Sequence, residues 1–362
     1  SKLYSSGILV GSDYFVAGSG SAIPGGGQHA TLPEQVRQCL ANINTTLEMN
    51  GLGYANIVKL YVMLDDPNNF EPMNAVFREI FPANPPARTT LYINTIPQGN
   101  HIEITAFATA DLSARKIIGT PPPGYPFSPA VLAGKTLYVS GKGDHLPGGG
   151  HPATFEEQAR QCLKNVSATL ETAGVSCRNV VWTNVYLDDA ANLKAFNKVY
   201  REFFKKGDEP ARANVIVNGL PGGSHVEVTV IATTDLSSRK VVKKGGKKPG
   251  PKENYECASP AVWAGDMLYV SAQYGGKGTI EEQFVQVMKS HSDILKKAGM
   301  KTKDIVSANV FLRDINDYGP LNKVYPDWFT EGRPGVRTCF MPYGASEPNE
   351  TLVRAYFFAA RT

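Results

Sequence analysis

Three arginines recur at an almost constant interval, and two of them are followed by a glutamate at a constant distance. Arg88 and Arg212 are 124 residues apart, Arg337 follows after another 125, and Glu103 and Glu227 each lie 15 residues beyond an arginine. A guanidinium binds a carboxylate through paired hydrogen bonds and stays charged at working pH. A buried carboxylate can polarise a water molecule or relay a proton. The pattern predicts carboxylate-binding sites with an acid beside them, while structural salt bridges and solvent-facing glutamates are the alternatives.

The third copy of this pattern lacks the acid. Counting along the chain from Arg337 places Leu352 or Val353 at the corresponding position, and Glu350 comes one or two residues too early. We therefore expect the cleft that uses this strand of the third repeat not to be catalytic.

Histidines accompany both glutamates. His101 and His225 each lie two residues before a glutamate, so strand alternation predicts that each pair shares one face. An imidazole titrates near neutral pH, which makes both histidines candidate proton donors. A metal site that also uses the loop residues His29, His145 and His151 is the less favoured alternative.

The constant interval predicts three domains, at 1–113, 124–237 and 254–362, because each repeat is long enough for its own core.

The 362 residues are 42% hydrophobic and 19% charged, which is typical of a soluble globular protein. Five cysteines without a CxxC motif argue against a disulfide framework and a structural zinc site. Between the second and third repeats lies a basic linker, for which solvation is favoured over nucleic-acid binding; its lysines are Lys240, Lys243, Lys244, Lys247 and Lys248.

The second repeat shows the element order most clearly. Apolar runs flank a turn at 134–135 and predict a β-hairpin, and Thr154 with Glu157 predicts the capped start of a helix that Gly174 ends. A strand, a second helix and two further strands follow, which gives the order β-β-α-β-α-β-β. If both helices cover one face of the sheet, the other face must be buried elsewhere. Three copies in one chain predict sheets that pack together around a pseudo-threefold axis.

Several phrases of the second repeat resemble the RidA (YjgF/YER057c/UK114) family, the reactive intermediate deaminases; they are EQARQCLKNV at 157–166, NKVYREFF at 197–204, PAR at 210–212, LP at 220–221 and VEV at 226–228. The likeness covers nearly all of repeats one and two and most of repeat three. It implies a chorismate-mutase-like α+β fold and an intrachain pseudo-trimer, since family members are typically homotrimers with sites between subunits. It also implies hydrolysis of 2-aminoacrylate and related imines to 2-keto acids and ammonia, without a metal or organic cofactor.

The resemblance also assigns roles to single residues. Arg88, Arg212 and Arg337 match the substrate-binding arginine, and Glu103 and Glu227 match the glutamate that positions water. At the position where the family has a tyrosine that lines the site, repeats one, two and three carry Tyr4, Phe127 and Ala258. Asn74, Asn197 and Asn322 match an asparagine near the pocket, although capping of a helix is an equal alternative for them.

Enamine/imine deamination of a small carboxylate-bearing substrate is the favoured function. The alternatives are hydrolysis of another small substrate, such as a cyclic amide, and a non-catalytic module that binds a ligand or RNA. We expect replacement of both Arg88 and Arg212 to abolish ammonia release. We also expect a monomer, with a dimer as the alternative, in the cytoplasm and without a membrane partner; because the chain begins at Ser1, removal of a leader peptide stays open.

Overall fold

The computed structural model describes residues 3–243, 256–342 and 350–361. The first repeat contains β1 (Gly7–Val10), β2 (Asp13–Ser19), α1 (Leu32–Glu48), β3 (Ile57–Leu64), α2 (Phe70–Ile80), β4 (Ala87–Tyr92) and β5 (Ile102–Thr109). The second contains β6 (Arg115–Ile118), β7 (Ala130–Ala133), β8 (Thr136–Val139), β9 (Lys142–Gly143), α3 (Phe155–Thr172), β10 (Val180–Leu187), α4 (Leu193–Phe203), β11 (Ala211–Ile216) and β12 (Val226–Thr233). The third contains β13 (Lys240–Val242), β14 (Ala261–Ala264), β15 (Met267–Tyr274), α5 (Ile280–Lys297), β16 (Ile305–Leu312), α6 (Tyr318–Val324), β17 (Val336–Phe340) and β18 (Val353–Ala360).

Local sequence signals place these elements as expected. The hairpin β7–β8 turns at 134–135, and α3 begins at a capping box in which the Thr154 amide donates to Glu157 Oε2 at 3.2 Å and the Glu157 amide donates to Thr154 Oγ1 at 3.4 Å. Gly174, with φ of +74°, follows the end of α3 in the left-handed conformation that a glycine adopts readily. No helix within the described ranges is long and apolar enough to cross a membrane.

Each repeat folds into a mixed sheet with its two long helices on one face. The first sheet has the order β1-β2-β5-β3-β4, in which β3 and β4 are parallel and the other neighbours antiparallel. The other two sheets repeat this pattern with additional strands. A separate hydrophobic cluster lies between each sheet and its helices. The predicted α+β class and the order β-β-α-β-α-β-β are confirmed.

The segments between the predicted domain limits, 114–123 and 238–253, each contribute a short strand to the following repeat. β6 pairs with β7 and β13 pairs with β14, so each covers an edge that would otherwise be open. The predicted domain limits at 1–113, 124–237 and 254–362 stay a prediction. Of the basic linker, Lys244, Lys247 and Lys248 lie outside the described residues.

The sheet faces opposite the helices meet in one shared core. Phe107 of the first repeat lies 6.2 Å from Tyr138 of the second and 6.2 Å from Phe358 of the third, measured between ring centroids. Trp182 of the second repeat lies 5.2 Å from Phe358. Each of these rings is at most 3% exposed. The apolar face that one sheet leaves uncovered is therefore buried by the other two sheets of the same chain.

Hydrogen bonds join the start of each arginine-bearing strand to the next repeat. The Arg88 amide donates to Ser140 Oγ at 2.8 Å, and the Arg212 amide donates to Ser271 Oγ at 2.8 Å. The Ser5 amide of the first repeat donates to the Gly335 carbonyl of the third at 3.2 Å. Repeat one thus contacts repeat two, two contacts three, and three contacts one.

Candidate active site

The three arginines occupy one structural position. Arg88, Arg212 and Arg337 are each the second residue of a strand, β4, β11 and β17 respectively. Their side chains are buried, with exposures of 4%, 2% and 4%. In each, NH1 is buried and no hydrogen bond joins it to another group within the described residues. A buried donor without an acceptor costs free energy, so each of these nitrogens would be stabilised by an added acceptor.

Arg88 meets the glutamate of the following repeat. Arg88 and Glu227 line the same cavity of about 320 Å³, which we call the 1–2 cleft. Phe70 of repeat one and Phe127 and His145 of repeat two also line it. The arginine and the acid thus come from neighbouring repeats because the start of β4 is hydrogen-bonded to repeat two.

Arg337 meets the glutamate of the first repeat. Arg337 and Glu103 line a second cavity of about 270 Å³, which we call the 3–1 cleft. Tyr4 of repeat one and Tyr318 of repeat three line the same space, together with Asn100. Each of the two cavities therefore has its own arginine from one repeat, its own glutamate from the next repeat, and aromatic side chains in its walls.

The third repeat carries an arginine at the strand position where the other two repeats carry a glutamate. Glu103 and Glu227 pair with the seventh residue of β3 and β10, and Arg354 pairs in the same way with the seventh residue of β16. The assignment of Leu352 or Val353 to this position was wrong. Arg354 follows Arg337 by 17 residues instead of 15, so counting along the chain misses a register that strand pairing fixes.

The surroundings of Arg212 also differ from those of the other two arginines. Its Nε donates to Asn214 Oδ1 at 2.6 Å, and its NH2 donates to Asn197 Oδ1 at 2.7 Å. Burial raises the pKa of Tyr274, and the positive charges of Arg354 and Arg212 nearby oppose that shift. We call this region the 2–3 interface. The geometry thus groups Arg337, and not Arg212, with a glutamate.

A glycine lies beside each of the two glutamates, and the third repeat, which has no glutamate, has no glycine at the equivalent position. A Cβ added at Gly18 would overlap Glu103 Oε1, and a Cβ added at Gly141 would overlap Glu227 Oε1. The register position of these glycines is occupied in repeat three by Ala272, opposite the strand that carries Arg354. The glycines therefore make room for the carboxylates, and this requirement is absent where the acid is absent.

Both glutamates have a pKa near neutrality. Burial raises the pKa of Glu103 from 4.5 to about 8, with Arg337 opposing the shift. Burial raises the pKa of Glu227 to about 7, with Lys59, Arg88 and Lys142 opposing it. A carboxyl group that titrates near neutral pH can both take up and release a proton during one reaction.

Lys59 is a buried cation that the sequence analysis missed. It is 1% exposed, and its Nζ donates to the Val139 carbonyl at 2.7 Å, to Thr229 Oγ1 at 2.9 Å and to Thr89 Oγ1 at 2.8 Å. Burial lowers its pKa, and the neighbouring Glu227 opposes that shift. A lone lysine within the otherwise apolar run of β3 was the signal that could have revealed it.

Aromatic rings surround the arginine in each cleft, and their identity differs. Phenylalanines surround Arg88; the distance from its Cζ atom to the ring centroid is 5.7 Å for Phe70, 5.1 Å for Phe77 and 5.0 Å for Phe127. Tyrosines surround Arg337, at 5.6 Å (Tyr318), 4.7 Å (Tyr325) and 5.5 Å (Tyr4). Such contacts hold a guanidinium in place while its edge stays available for hydrogen bonds.

One of the predicted asparagines contacts an arginine directly. Asn197 Oδ1 accepts a hydrogen bond from Arg212 NH2. Asn74 is fully buried on α2; its Nδ2 donates to Glu71 Oε1 at 3.0 Å, and its Oδ1 is buried without a partner in the described structure. Asn197 therefore helps to hold the side chain of Arg212, whereas Asn74 bonds within its own helix.

The two predicted proton donors lie on the surface. His101 Nδ1 is 2.7 Å from Asp65 Oδ2, His225 Nδ1 is 2.6 Å from Asp188 Oδ2, and each imidazole is about half exposed, at 55% and 53%. Neither lines the 1–2 or the 3–1 cleft. Both precede their strands, so the alternation that was expected to align them with the glutamates does not apply.

A different histidine pair borders the 1–2 cleft. His145 lines the cavity, and its ring centroid lies 4.6 Å from that of His151. His151 Nδ1 is 3.0 Å from Oδ1 of the fully buried Asp144. Within the ranges that the structure describes, no three His, Cys, Asp or Glu side chains are grouped as metal ligands.

The chain matches one family model three times. The model, described as endoribonuclease L-PSP, matches residues 1–110, 118–234 and 246–345, which together make up most of the chain. The chain belongs to the endoribonuclease L-PSP (YjgF/RidA) family.

The relatives that match most of their own length cover about one third of this chain, which is the length of one repeat. A 2-iminobutanoate/2-iminopropanoate deaminase of Mus musculus is 40% identical over 123 residues, covering 33% of this chain and 90% of the relative. The Homo sapiens protein of the same name is 38% identical over 109 residues, covering 30% of this chain and 79% of its own. The crystal structure of the YjgF gene product from E. coli is 33% identical, covers 33% of this chain and 99% of its own, and has a TM-score of 0.32.

Proposed function

We propose that this chain is an imine deaminase that hydrolyses small 2-imino acids, and enamines such as 2-aminoacrylate, to 2-keto acids and ammonia. The reaction takes place in the 1–2 and 3–1 clefts. One observation carries the proposal: an arginine with an unused donor and a glutamate that titrates near neutral pH line one cavity, and they do so twice. The names of the mouse and human relatives support the same chemistry.

The arginine binds the substrate. Arg88 or Arg337 holds the carboxylate of the imino acid through the free edge of its guanidinium, while the aromatic rings fix the guanidinium from its faces. Burial lowers the pKa of Arg88 to about 9, which leaves it protonated at neutral pH. The substrate carboxylate therefore supplies the charge and the acceptor that the buried arginine lacks.

The glutamate handles water and protons. The carboxylate of Glu103 or Glu227 takes a proton from water as the water oxygen bonds to the imine carbon, which gives a carbinolamine. The carboxyl group then returns that proton to the nitrogen. The C–N bond breaks, its electron pair leaves with ammonia, and the hydroxyl proton passes through the carboxylate to that ammonia as the carbonyl forms, which gives ammonium. The sum is iminium plus water giving keto acid plus ammonium, so atoms and charge balance.

Placement accounts for most of the expected rate enhancement. An iminium carbon is already electrophilic, so a fixed substrate and a fixed water supply what the reaction needs. No activity is assigned to the 2–3 interface, because its second charged group is Arg354, which cannot accept a proton at working pH.

Ammonia release from 2-iminobutanoate and 2-iminopropanoate tests the proposal, with two double variants compared. Arg88→Ala/Arg337→Ala removes the arginine from both clefts that contain a glutamate, and we expect its activity to fall to the uncatalysed rate. Arg88→Ala/Arg212→Ala is the matched control, and we expect it to keep the activity of the 3–1 cleft.

Two results would overturn the proposal. One is ammonia release by Arg88→Ala/Arg337→Ala close to that of the wild type. The other is wild-type protein that does not accelerate hydrolysis of either imine. Circular dichroism and thermal melting of each variant show whether it is folded, and Glu103→Gln/Glu227→Gln provides a nearly isosteric second test if an arginine variant fails to fold.

A further inference from the structure

The two clefts that hold a glutamate differ in one consistent feature, the hydroxyl groups around the arginine. Phe70 and Tyr318 are the first residues of α2 and α6, and Phe77 and Tyr325 come seven residues later in each case. Equivalent elements thus supply phenylalanine around Arg88 and tyrosine around Arg337. The third ring, Phe127 in one cleft and Tyr4 in the other, follows the same rule.

The hydroxyls of the 3–1 cleft face the reacting region. Arg337 NH2 donates to the Tyr318 hydroxyl at 3.4 Å, which leaves the hydroxyl proton of Tyr318 to donate elsewhere. The Tyr4 hydroxyl lies close enough to Tyr318, Arg337 and Glu103 for all three to influence its pKa. A ligand held by Arg337 and Glu103 therefore meets tyrosines where a ligand held by Arg88 meets phenylalanines.

The remaining walls show the same contrast. Beside its tyrosines, the 3–1 cleft is lined by short polar side chains, namely Ser6, Ser19, Asn42, Thr46, Gln98 and Asn100. Beside its phenylalanines, the 1–2 cleft is lined by Pro122, Pro221, Gly141 and Gly222, and its polar side chains apart from Arg88 and Glu227 are those of Thr90, Tyr125 and His145. The cavity volumes are similar, at about 270 Å³ and 320 Å³, so the two clefts differ in polarity more than in size.

We propose that the two clefts divide 2-imino acids by side-chain polarity, the 1–2 cleft taking apolar side chains and the 3–1 cleft taking side chains that hydrogen-bond. This inference rests on the proposed function. A polar substrate group buried among phenylalanines loses its hydrogen bonds to water without replacement, whereas an apolar group among tyrosines leaves their hydroxyls unpaired. Each cleft therefore disfavours the substrate that suits the other.

Single-cleft variants measure this division. Glu103→Gln leaves the 1–2 cleft as the working site, and Glu227→Gln leaves the 3–1 cleft. The substrates are the 2-imino acids of leucine and asparagine, whose side chains have nearly the same shape and differ in polarity. We expect the leucine-to-asparagine ratio of kcat/KM to be at least about tenfold higher for Glu103→Gln than for Glu227→Gln.

Adding or removing one ring hydroxyl in each cleft tests whether these aromatic residues cause the difference in substrate preference. In the Glu103→Gln background, Phe127→Tyr should lower the ratio, and in the Glu227→Gln background, Tyr4→Phe should raise it. Equal ratios in the two single-cleft variants, or ratios that do not respond to either exchange, would overturn the inference.

Binding of the stable 2-keto acids separates this inference from the proposed function. By calorimetry, Arg337→Ala, with the 1–2 cleft intact, should prefer the keto acid of leucine, and Arg88→Ala, with the 3–1 cleft intact, should prefer that of asparagine. If the wild type hydrolyses no imine but these preferences appear, the division stands and the proposed function fails. If imines are hydrolysed but no preference appears in turnover or binding, the division fails alone.

Discussion

The 3–1 cleft and the 2–3 interface are built from equivalent strands, but they carry charged side chains of opposite sign at one equivalent position. Each has a buried arginine as the second residue of a strand, and the following repeat contributes a strand with a charged side chain at one register position. That strand carries Glu103 in the 3–1 cleft and Arg354 in the 2–3 interface, at the same register position. An arginine–glutamate pair can bind a carboxylate and move a proton, whereas an arginine pair can only bind anions.

The replacement of the acid is accompanied by a change around it. Gly18, which leaves room for the Glu103 carboxylate, corresponds to Ala272 in repeat three. Arg212 is held by the side-chain oxygens of Asn197 and Asn214 instead of facing an acid. Once one interface no longer carries an acid, its neighbours can change without penalty. The 2–3 interface can then serve the fold alone, while the third repeat still contributes Arg337 to the 3–1 cleft.

The largest predicted effect comes from neutralising the two acids. Glu103→Gln/Glu227→Gln should lower kcat/KM for 2-iminopropanoate by about 10³-fold, since a positioned proton-transfer group typically contributes about 10²–10⁴-fold. Arg354→Gln in the 2–3 interface should change it less than about twofold, because no reaction is assigned there. Ammonia release measures both, and comparable losses in the two variants would break the distinction between the interfaces.

The same double variant should be more stable than the wild type at alkaline pH. Thermal melting measures this difference and also shows that the variant is folded. Each folded-state pKa lies above the ordinary value of 4.5, so ionisation of the buried carboxyls opposes folding, and the wild type loses stability as pH rises from about 5 to about 8. Glutamine does not ionise. The Tm of the double variant should therefore exceed that of the wild type at pH 9 and not at pH 5.

Installing the acid in the 2–3 interface should produce a smaller gain. In the Glu103→Gln/Glu227→Gln background, Ala272→Gly/Arg354→Glu places a carboxylate, and the room for it, beside Arg212. We expect ammonia release to rise by about tenfold over that background, a small part of what a positioned acid contributes. Ala272→Gly/Arg354→Gln is the matched control, and an equal rise in the control would show that the carboxylate is not the cause.

Both working clefts should lose activity in acid near neutral pH, well above the pH at which an ordinary glutamate titrates. The carboxylate must be ionised to accept a proton from water, so kcat/KM should fall below about pH 7 for Glu103→Gln, which retains Glu227, and below about pH 8 for Glu227→Gln, which retains Glu103. The pH profile of each variant measures this limb, and a limb near pH 4.5 in either variant would contradict the assignment of a buried acid to that cleft.

Lys59 sharpens this comparison. Its positive charge favours the ionised form of Glu227, so Lys59→Met in the Glu103→Gln background should move the limb to higher pH. In the Glu227→Gln background the same change should leave the limb in place, because Lys59 is not among the groups that shift the pKa of Glu103.

The smallest predicted effect concerns the exposed histidines. His101→Ala and His225→Ala should each change kcat/KM less than about twofold, because each imidazole pairs with an aspartate on the surface and an exposed ion pair contributes little. A loss of tenfold or more in either variant would restore the sequence-based prediction that they donate protons.

Much of the fold could be predicted from local signals. The turn at 134–135, the capping box of Thr154 and Glu157 and the stop at Gly174 lie within short segments, and the structure places the hairpin and α3 accordingly. The periodic arginines also identified the strands that carry them. The residues Lys59 and Arg354 were missed because their significance depends on partners in another repeat or on another strand.

The sequence by itself determined the three-fold repeat, the element order within each copy, and the residue types available for chemistry. These follow from side-chain periodicity, capping and turn formation, which act over a few residues. Tertiary structure decided that Arg88 meets Glu227, that Arg337 meets Glu103 and that Arg212 meets no acid at the equivalent position. It also raised the pKa of both glutamates towards neutrality, because burial and pairing between repeats depend on contacts that are distant along the chain.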